Sequence, residues 1–212
     1  MQLTHRWLGQ DVDFQEGLEI QQQVVQAILD GESEDQFLSL EHAPVYTIGR
    51  TRDQSSLGVN TAMLPHPVIE INRGGQATYH GPGQLVGYSI LDLKPLGKDL
   101  HAYIRAIEDA LIRSCSEYGV TASRREGLTG VWVENRKLAS IGVGVRKWIS
   151  MHGFAINITK ESLTGFLSIT PCGIEGVAMT SLESECGREV SVKEFAKLCA
   201  KHLPESLKDL QV

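Results

Sequence analysis

The chain has 212 residues, 42% of them hydrophobic, and no Pro/Ser-rich linker or charge block divides it, so a single domain spanning 1–212 with a substantial core is expected. A net charge of −6 without a strongly basic stripe excludes general nucleic-acid binding. No apolar run approaches membrane-spanning length, and the start, M-Q-L-T-H-R-W-L-G-Q-D-V-D, reads as neither a signal nor a transit peptide.

Residues 3–8 are predicted to open as a strand, and 14–29 carry apolar residues at helical spacing, ended by Asp30-Gly31. Residues 37–40, 45–48 and 68–71 are β-like, and 85–93 read as a strand following a glycine-rich loop. The clearest helix is 99–118, where Leu100, Tyr103, Ile104, Ile107, Leu111, Cys115 and Tyr118 form one stripe and Gly119 supplies a stop. Residues 131–133, a turn at Glu134-Asn135-Arg136, and 137–145 read as a hairpin, followed by a strand over 149–158. Ser191-Val192-Lys193-Glu194 is a capping box that opens a last helix through about His202. The pattern is that of an α+β domain, one mixed or antiparallel sheet with helices against it.

Cys115, Cys172, Cys186 and Cys199 include no C-x-x-C pair, which fits a reducing, cytoplasmic setting. Cys115 and Cys199 fall on apolar helix faces and read as small core residues, and Cys186 reads as a loop thiol. Cys199 and His202 alone, with no second paired motif, do not make a zinc site, so no metal is expected. Cys172 stands in Pro171-Cys172-Gly173, where the backbone is restricted before the thiol and freed after it.

Residues 73–88 read R-G-G-Q-A-T-Y-H-G-P-G-Q-L-V-G-Y, five glycines around one Arg, one His and two Gln, a composition that lets the backbone approach a ligand closely. A strand rather than a helix follows Gly81-Pro82-Gly83, so the run is no dinucleotide loop, and no G-x-x-x-x-G-K-[ST] occurs. Arg73 suits an anion or a structural ion pair equally well. By sequence alone Lys137 is an ordinary solvated strand-edge lysine.

Four segments in order, R-G-G-Q-A-T-Y-H-G-P-G-Q, K-L-A-S-I-G (137–142), H-G-F-A-I-N (152–157) and P-C-G (171–173), resemble the octanoyltransferases of lipoate synthesis, also called lipoyl(octanoyl) transferases. The resemblance spans roughly residues 40–175 and implies the biotin/lipoate protein ligase fold. It implies a Cys172-Lys137 dyad, with Cys172 taking the acyl group from octanoyl-acyl carrier protein. The acceptor would be a lysine of an apo lipoyl domain, from 2-oxoacid dehydrogenases or the glycine cleavage H protein. The thioester is already activated, so no ATP, cofactor or metal is expected. The acyl-binding segments would be Arg73, Gly74, Gly75, Gln76, Ala77, Thr78, Tyr79 and His80 in the first motif. Ser140, Ile141 and Gly142 in the second and Gly153, Phe154 and Ala155 in the third would complete one tunnel.

Only the thiolate is a competent nucleophile, and a free thiol of pKa ~8.5 is mostly protonated at pH 7. An ammonium about 4 Å away attracts the thiolate by up to ~4 kcal/mol at an effective dielectric near 20. A Cys-His pair through His80 or His152 is the competing assignment. A lysine can both hold the thiolate and, once neutral, take a proton from the incoming amine, which favours Lys137 and leaves His80 to the pocket wall. Backbone N–H groups near Cys172 and at Gly75 and Gln76 are candidate oxyanion donors. Two other readings stay open: an ATP-dependent lipoate ligase on the same fold, and a catalytically idle acyl-binding module. Arg124, Arg125, Arg136, Lys137, Arg146 and Lys147, against only Glu126 and Glu134, form a candidate basic rim for an acidic carrier.

Overall fold

The structure, a computed structural model, describes residues 3–50, 57, 61–169 and 177–210. Cys172 lies outside the described residues. Strand β1 (Thr4–Val12) pairs in parallel with β2 (Gln36–His42) through the crossover helix α1 (Phe14–Leu29). The carboxylate of Asp13 accepts from the N–H groups of Gln15 and Glu16 and so caps α1, whose buried residues Phe14, Gly17, Gln21, Val24 and Val25 form the stripe that the spacing predicts.

Three short strands, β3 (Val45–Ile48), β4 (Val68–Glu70) and β5 (Thr78–His80), make a small sheet in the order β4-β3-β5. The chain then returns to the main sheet with β6 (Gln84–Ile90), crosses one face as α2 (Leu100–Ser116), and adds β7 (Ser123–Arg125), β8 (Leu128–Val133), β9 (Arg136–Arg146) and β10 (Ile149–Asn157). After 176 come β11 (Ala178–Met179), α3 (Leu182–Cys186) and α4 (Val192–Leu207). The main sheet runs β1-β2-β6-β10-β9-β8-β7, with β11 beside the start of β9. It is mixed: β1/β2 and β11/β9 are parallel, and the other pairs are antiparallel.

Side-chain alternation sorts the central strands between two layers. Phe37, Leu85, Phe154 and Ile156 face α2 and α4, packing with Tyr103, Ile107, Phe195 and Leu203. Leu38, Leu40, Val86, Tyr88 and Ala155 face α1 and pack with Val24 and Val25. Cys115 and Cys199 are buried in the first layer, where burial pushes the Cys115 thiol up and the Cys199 thiol up to about 12, so both remain protonated core residues. Cys186 ends α3 rather than lying in a loop.

Several boundaries differ from the sequence pattern: β1, for one, runs on to Val12 rather than stopping near residue 8. Strand β6 ends at Ile90, because Leu91 and Leu93 leave the regular ladder to bond the start of β10 through Ser150 and Trp148. Helix α4 runs past His202 and through Pro204, because Leu203 and Leu207 are buried against the first layer and outweigh the one backbone bond that proline forgoes. His202 itself bonds Glu117 and Glu205 at 3.2 and 3.3 Å.

Candidate functional site

A cavity of about 220 Å³ lies on the α1 face of the main sheet. Its floor is set by strand register. Ser140 pairs with Ala155, which pairs with Val86; in the adjacent row Gly142 pairs with Gly153, which pairs with Tyr88. All six line the cavity. Glycine is required at 153: its φ is +155°, and a Cβ there would stand 2.2 Å from the carbonyl oxygen of Gly87. Ile141 and Phe154 complete the β9 and β10 contribution.

The roof is the segment from Arg73 to Thr78, with His80 beyond it. Gly74 N–H donates to the Val143 carbonyl at 3.3 Å and ties the roof to β9. The buried guanidinium of Arg73 donates to the Gly74 carbonyl (2.8 Å), the Thr47 carbonyl (3.1 Å) and Thr47 Oγ1 (2.9 Å), bracing the roof against β3. Of the fourteen residues that the resemblance assigns to the acyl group, Tyr79 alone is not a wall residue. It sits between Thr78 and His80 on β5, so alternation turns its ring away, onto Tyr46 (5.4 Å between centroids) and Phe166 (5.8 Å).

Lys137 also lines the cavity and is only 4% exposed, a core position rather than a solvated sheet edge. A β-bulge puts it there. Trp132 pairs with Lys137 but Val131 pairs with Ala139, which leaves Leu138 as an extra residue and shifts the alternation by one. Lys137 therefore shares a face with Ser140 and Gly142, while Ala139 packs into the α2/α4 layer. The ammonium stands 5.3 Å from the centre of the Trp132 ring, an interaction worth ~0.5–2 kcal/mol toward holding a cation in a desolvated place.

Three imidazoles crowd the same region. Burial holds His80 down to about 3, with the neighbouring His42 adding to the effect, and burial holds His152 and His42 to about 4. Neutral rings cannot stabilise a thiolate by charge. Burial thus disfavours charge on all three rings, while Arg73 and Lys137 bring cationic groups to the wall.

A buried chain of hydrogen bonds leads from this wall toward the other side of Lys137. His80 Nδ1 bonds Gln84 Oε1 (2.8 Å), Gln84 Nε2 donates to Asn157 Oδ1 (3.0 Å), and Asn157 Nδ2 donates to the Thr180 carbonyl (3.0 Å). Thr180 N–H in turn donates to the Lys137 carbonyl at 3.0 Å, and Met179 pairs with Lys137 in β11. The chain thus re-enters the described structure, a few residues after Cys172, alongside Lys137.

Sequence reasoning missed Phe14, Ile71, Val86, Tyr88, Leu128 and Thr129, which also line the cavity. Val86 and Tyr88 had a signal, alternation within Q-L-V-G-Y at the end of the first motif; Phe14, far away on α1, had none. The basic rim is smaller than the sequence suggests. Arg124 pairs with Glu108 of α2 (3.0 Å), and Arg136 pairs with Glu185 of α3 (3.0 Å) as well as Glu134 (2.8 Å). Arg125 lies over the Trp132 ring, and Arg146 and Lys147 remain exposed at the β9–β10 turn.

The fold is that of the lipoate and biotin protein ligases. A bi-partite lipoate protein ligase from Thermoplasma acidophilum superimposes with a TM-score of 0.72 at 16% identity, covering 97% of this chain and 84% of that one. Biotin protein ligase from Aquifex aeolicus, in complex with biotin and ATP, gives 0.63 at 16% identity, covering 98% and 72%. The lipoyl protein ligase A/B catalytic-domain profile matches residues 13–204, and the chain belongs to that family. Among curated relatives, the octanoyltransferase of Geobacter metallireducens is 46% identical over 196 residues, covering 91% of this chain and 88% of the relative. That of Geotalea uraniireducens is 49% identical over 183 residues, covering 86% and 83%.

Proposed function

We propose that this protein is an octanoyltransferase of lipoate biosynthesis, moving the chain from octanoyl-acyl carrier protein to a lysine of an apo lipoyl domain through a thioester on Cys172. The observation that supports it best is an apolar-floored cavity with a buried lysine at one end, where the strand that follows the Cys172 segment is paired to that lysine. Nearly half of the residues are shared with octanoyltransferases over most of the chain.

In the first half-reaction the Cys172 thiolate attacks the thioester carbonyl carbon. The bond from carbonyl to carrier sulfur breaks, and Lys137 gives its proton to the departing thiolate. In the second, the acceptor amine attacks the Cys172 thioester, neutral Lys137 takes the amine proton, and the thiolate leaves. Sulfur and lysine both return to their starting states. Thioester activation supplies the driving force, so the protein contributes nucleophile, proton transfer and alignment.

Mass spectrometry of the intact protein after mixing with octanoyl-acyl carrier protein tests this. An octanoyl adduct mapped to Cys172, discharged by an apo lipoyl domain and absent in Cys172→Ser, is expected. An adduct at Cys115, Cys186 or Cys199, or full turnover by Cys172→Ser, overturns it. The similarity to solved ligases makes acid activation the rival reading: transfer from free octanoate only with ATP would establish it. Tight acyl binding with no adduct under either condition would indicate an idle binding module.

A further inference from the structure

We infer that Phe14, Val86 and Tyr88 form the closed end of the acyl cavity and set the length of chain it accepts. The inference rests on the proposed function, which puts the reacting thioester at the Lys137 end.

The two floor rows cross β9, β10 and β6, two strand spacings or ~10 Å, about the length of an extended octanoyl chain. Along them the side chains are first small, Ser140 and Gly142 on β9, then Ala155 and Gly153 on β10. They step up on β6 to Val86 and Tyr88. One strand further, Leu40 and Leu38 stand in register with Val86 and Tyr88 but do not line the cavity. The channel therefore stops at β6.

Phe14, the first residue of α1 and 3% exposed, closes the same end from the α1 side; its ring lies 4.9 Å from that of His42 and 6.1 Å from that of His80. The end wall is braced from behind. His42 Nδ1 lies 2.9 Å from the Val12 carbonyl, which can only accept, so the neutral ring carries its proton there and its Nε2 accepts from the Tyr88 hydroxyl. Gly17 lets α1 lie against this imidazole, since a Cβ at that position would come within 2.9 Å of His42 Cε1. An open apolar channel would favour each added methylene by only about fourfold, whereas a braced wall penalises the first carbon that does not fit.

Acyl-acyl carrier proteins of six, eight, ten and twelve carbons, assayed with the folded full chain and an apo lipoyl domain, test the inference. Ratios of kcat/KM within one variant do not depend on the fraction folded. The wild type is expected to lose activity sharply beyond eight carbons. Phe14→Ala should raise the ten-to-eight ratio by about tenfold or more, since two further methylenes then gain ~fourfold each. Ala155→Val, a branched side chain in mid-floor, should shift the preference toward six carbons, and it decides the matter alone if Phe14→Ala does not fold. Unchanged ratios in the folded variants overturn the inference while leaving octanoyl transfer standing. A wild type that transfers no chain of any length overturns the proposed function, and this inference with it.

Discussion

Asn157 is the last residue of the H-G-F-A-I-N segment and touches none of the cavity, yet its replacement should disable the site. Its amide is buried, 1% exposed, and bonds Gln84 on one side and the Thr180 carbonyl on the other. In Asn157→Ala one Gln84 N–H and the Thr180 carbonyl lose their partners; the second Gln84 N–H keeps the Tyr79 carbonyl at 3.1 Å. Each orphaned buried group costs ~1–3 kcal/mol, so destabilisation of about 2–6 kcal/mol is expected, which a domain of ordinary stability survives. The functional loss should be separable from this. Thr180 also pins β11 to Lys137, so loosening it lets β11 drift relative to the lysine, which on the proposed mechanism costs alignment. A factor of ten in rate corresponds to only ~1.4 kcal/mol of lost alignment, and at least that much is expected. Urea unfolding gives the stability change. Transfer from a small octanoyl thioester, measured at a temperature where the variant is folded, gives the alignment loss. Undiminished transfer by the folded variant would refute the positioning argument, and an unchanged urea midpoint would refute the hydrogen-bond energetics.

Three further outcomes are expected. On the proposed Cys172-Lys137 pairing, Lys137→Arg keeps the charge but cannot serve as a base, so iodoacetamide labelling of Cys172 at neutral pH should survive while acyl transfer is lost; an unchanged pH profile of alkylation in Lys137→Met would refute the pairing. Stability should fall on acidification from pH 6.5 to 4: unfolded histidines take up protons in that window, whereas the folded rings of His42 and His152 stay neutral to about 4 and His80 to about 3. Each contributes on the order of 3 kcal/mol, and Asp35, raised to about 6 by burial, opposes them as a single group whose stabilisation is lost as pH rises from 3.8 to 6. A urea midpoint that is flat or rises toward pH 4 would refute the assignment of neutral buried rings. Finally, Arg146 and Lys147 should steer an acidic carrier, so Arg146→Glu with Lys147→Glu should slow reaction with octanoyl-acyl carrier protein in low salt and leave a small thioester unaffected; equal salt sensitivity for both donors would refute steering.

What the sequence made legible was what local spacing controls. The α1 stripe, the capping box before α4 and the β8–β9 hairpin all depend on residues within a few positions of one another. The glycine-rich run was readable for the same reason: Gly75 and Gly83 have φ of +84° and +77°, and glycine composition signals such backbone directly. Register is different. Reading residues 137 to 142 as an ideal strand groups Lys137 with Ala139 and Ile141, and a lysine in that company looks like an edge charge. The extra residue at Leu138 reverses the grouping, and it is visible only against the partner strand, where Trp132 opposes Lys137 and Val131 opposes Ala139. Charge had the same limit, since Glu108 and Glu185, which pair with Arg124 and Arg136, arrive from helices remote in sequence. A one-residue slip in that register would return Lys137 to the α2/α4 layer, among apolar side chains and away from the cavity. The bulge is therefore as much a part of the proposed site as the lysine it turns.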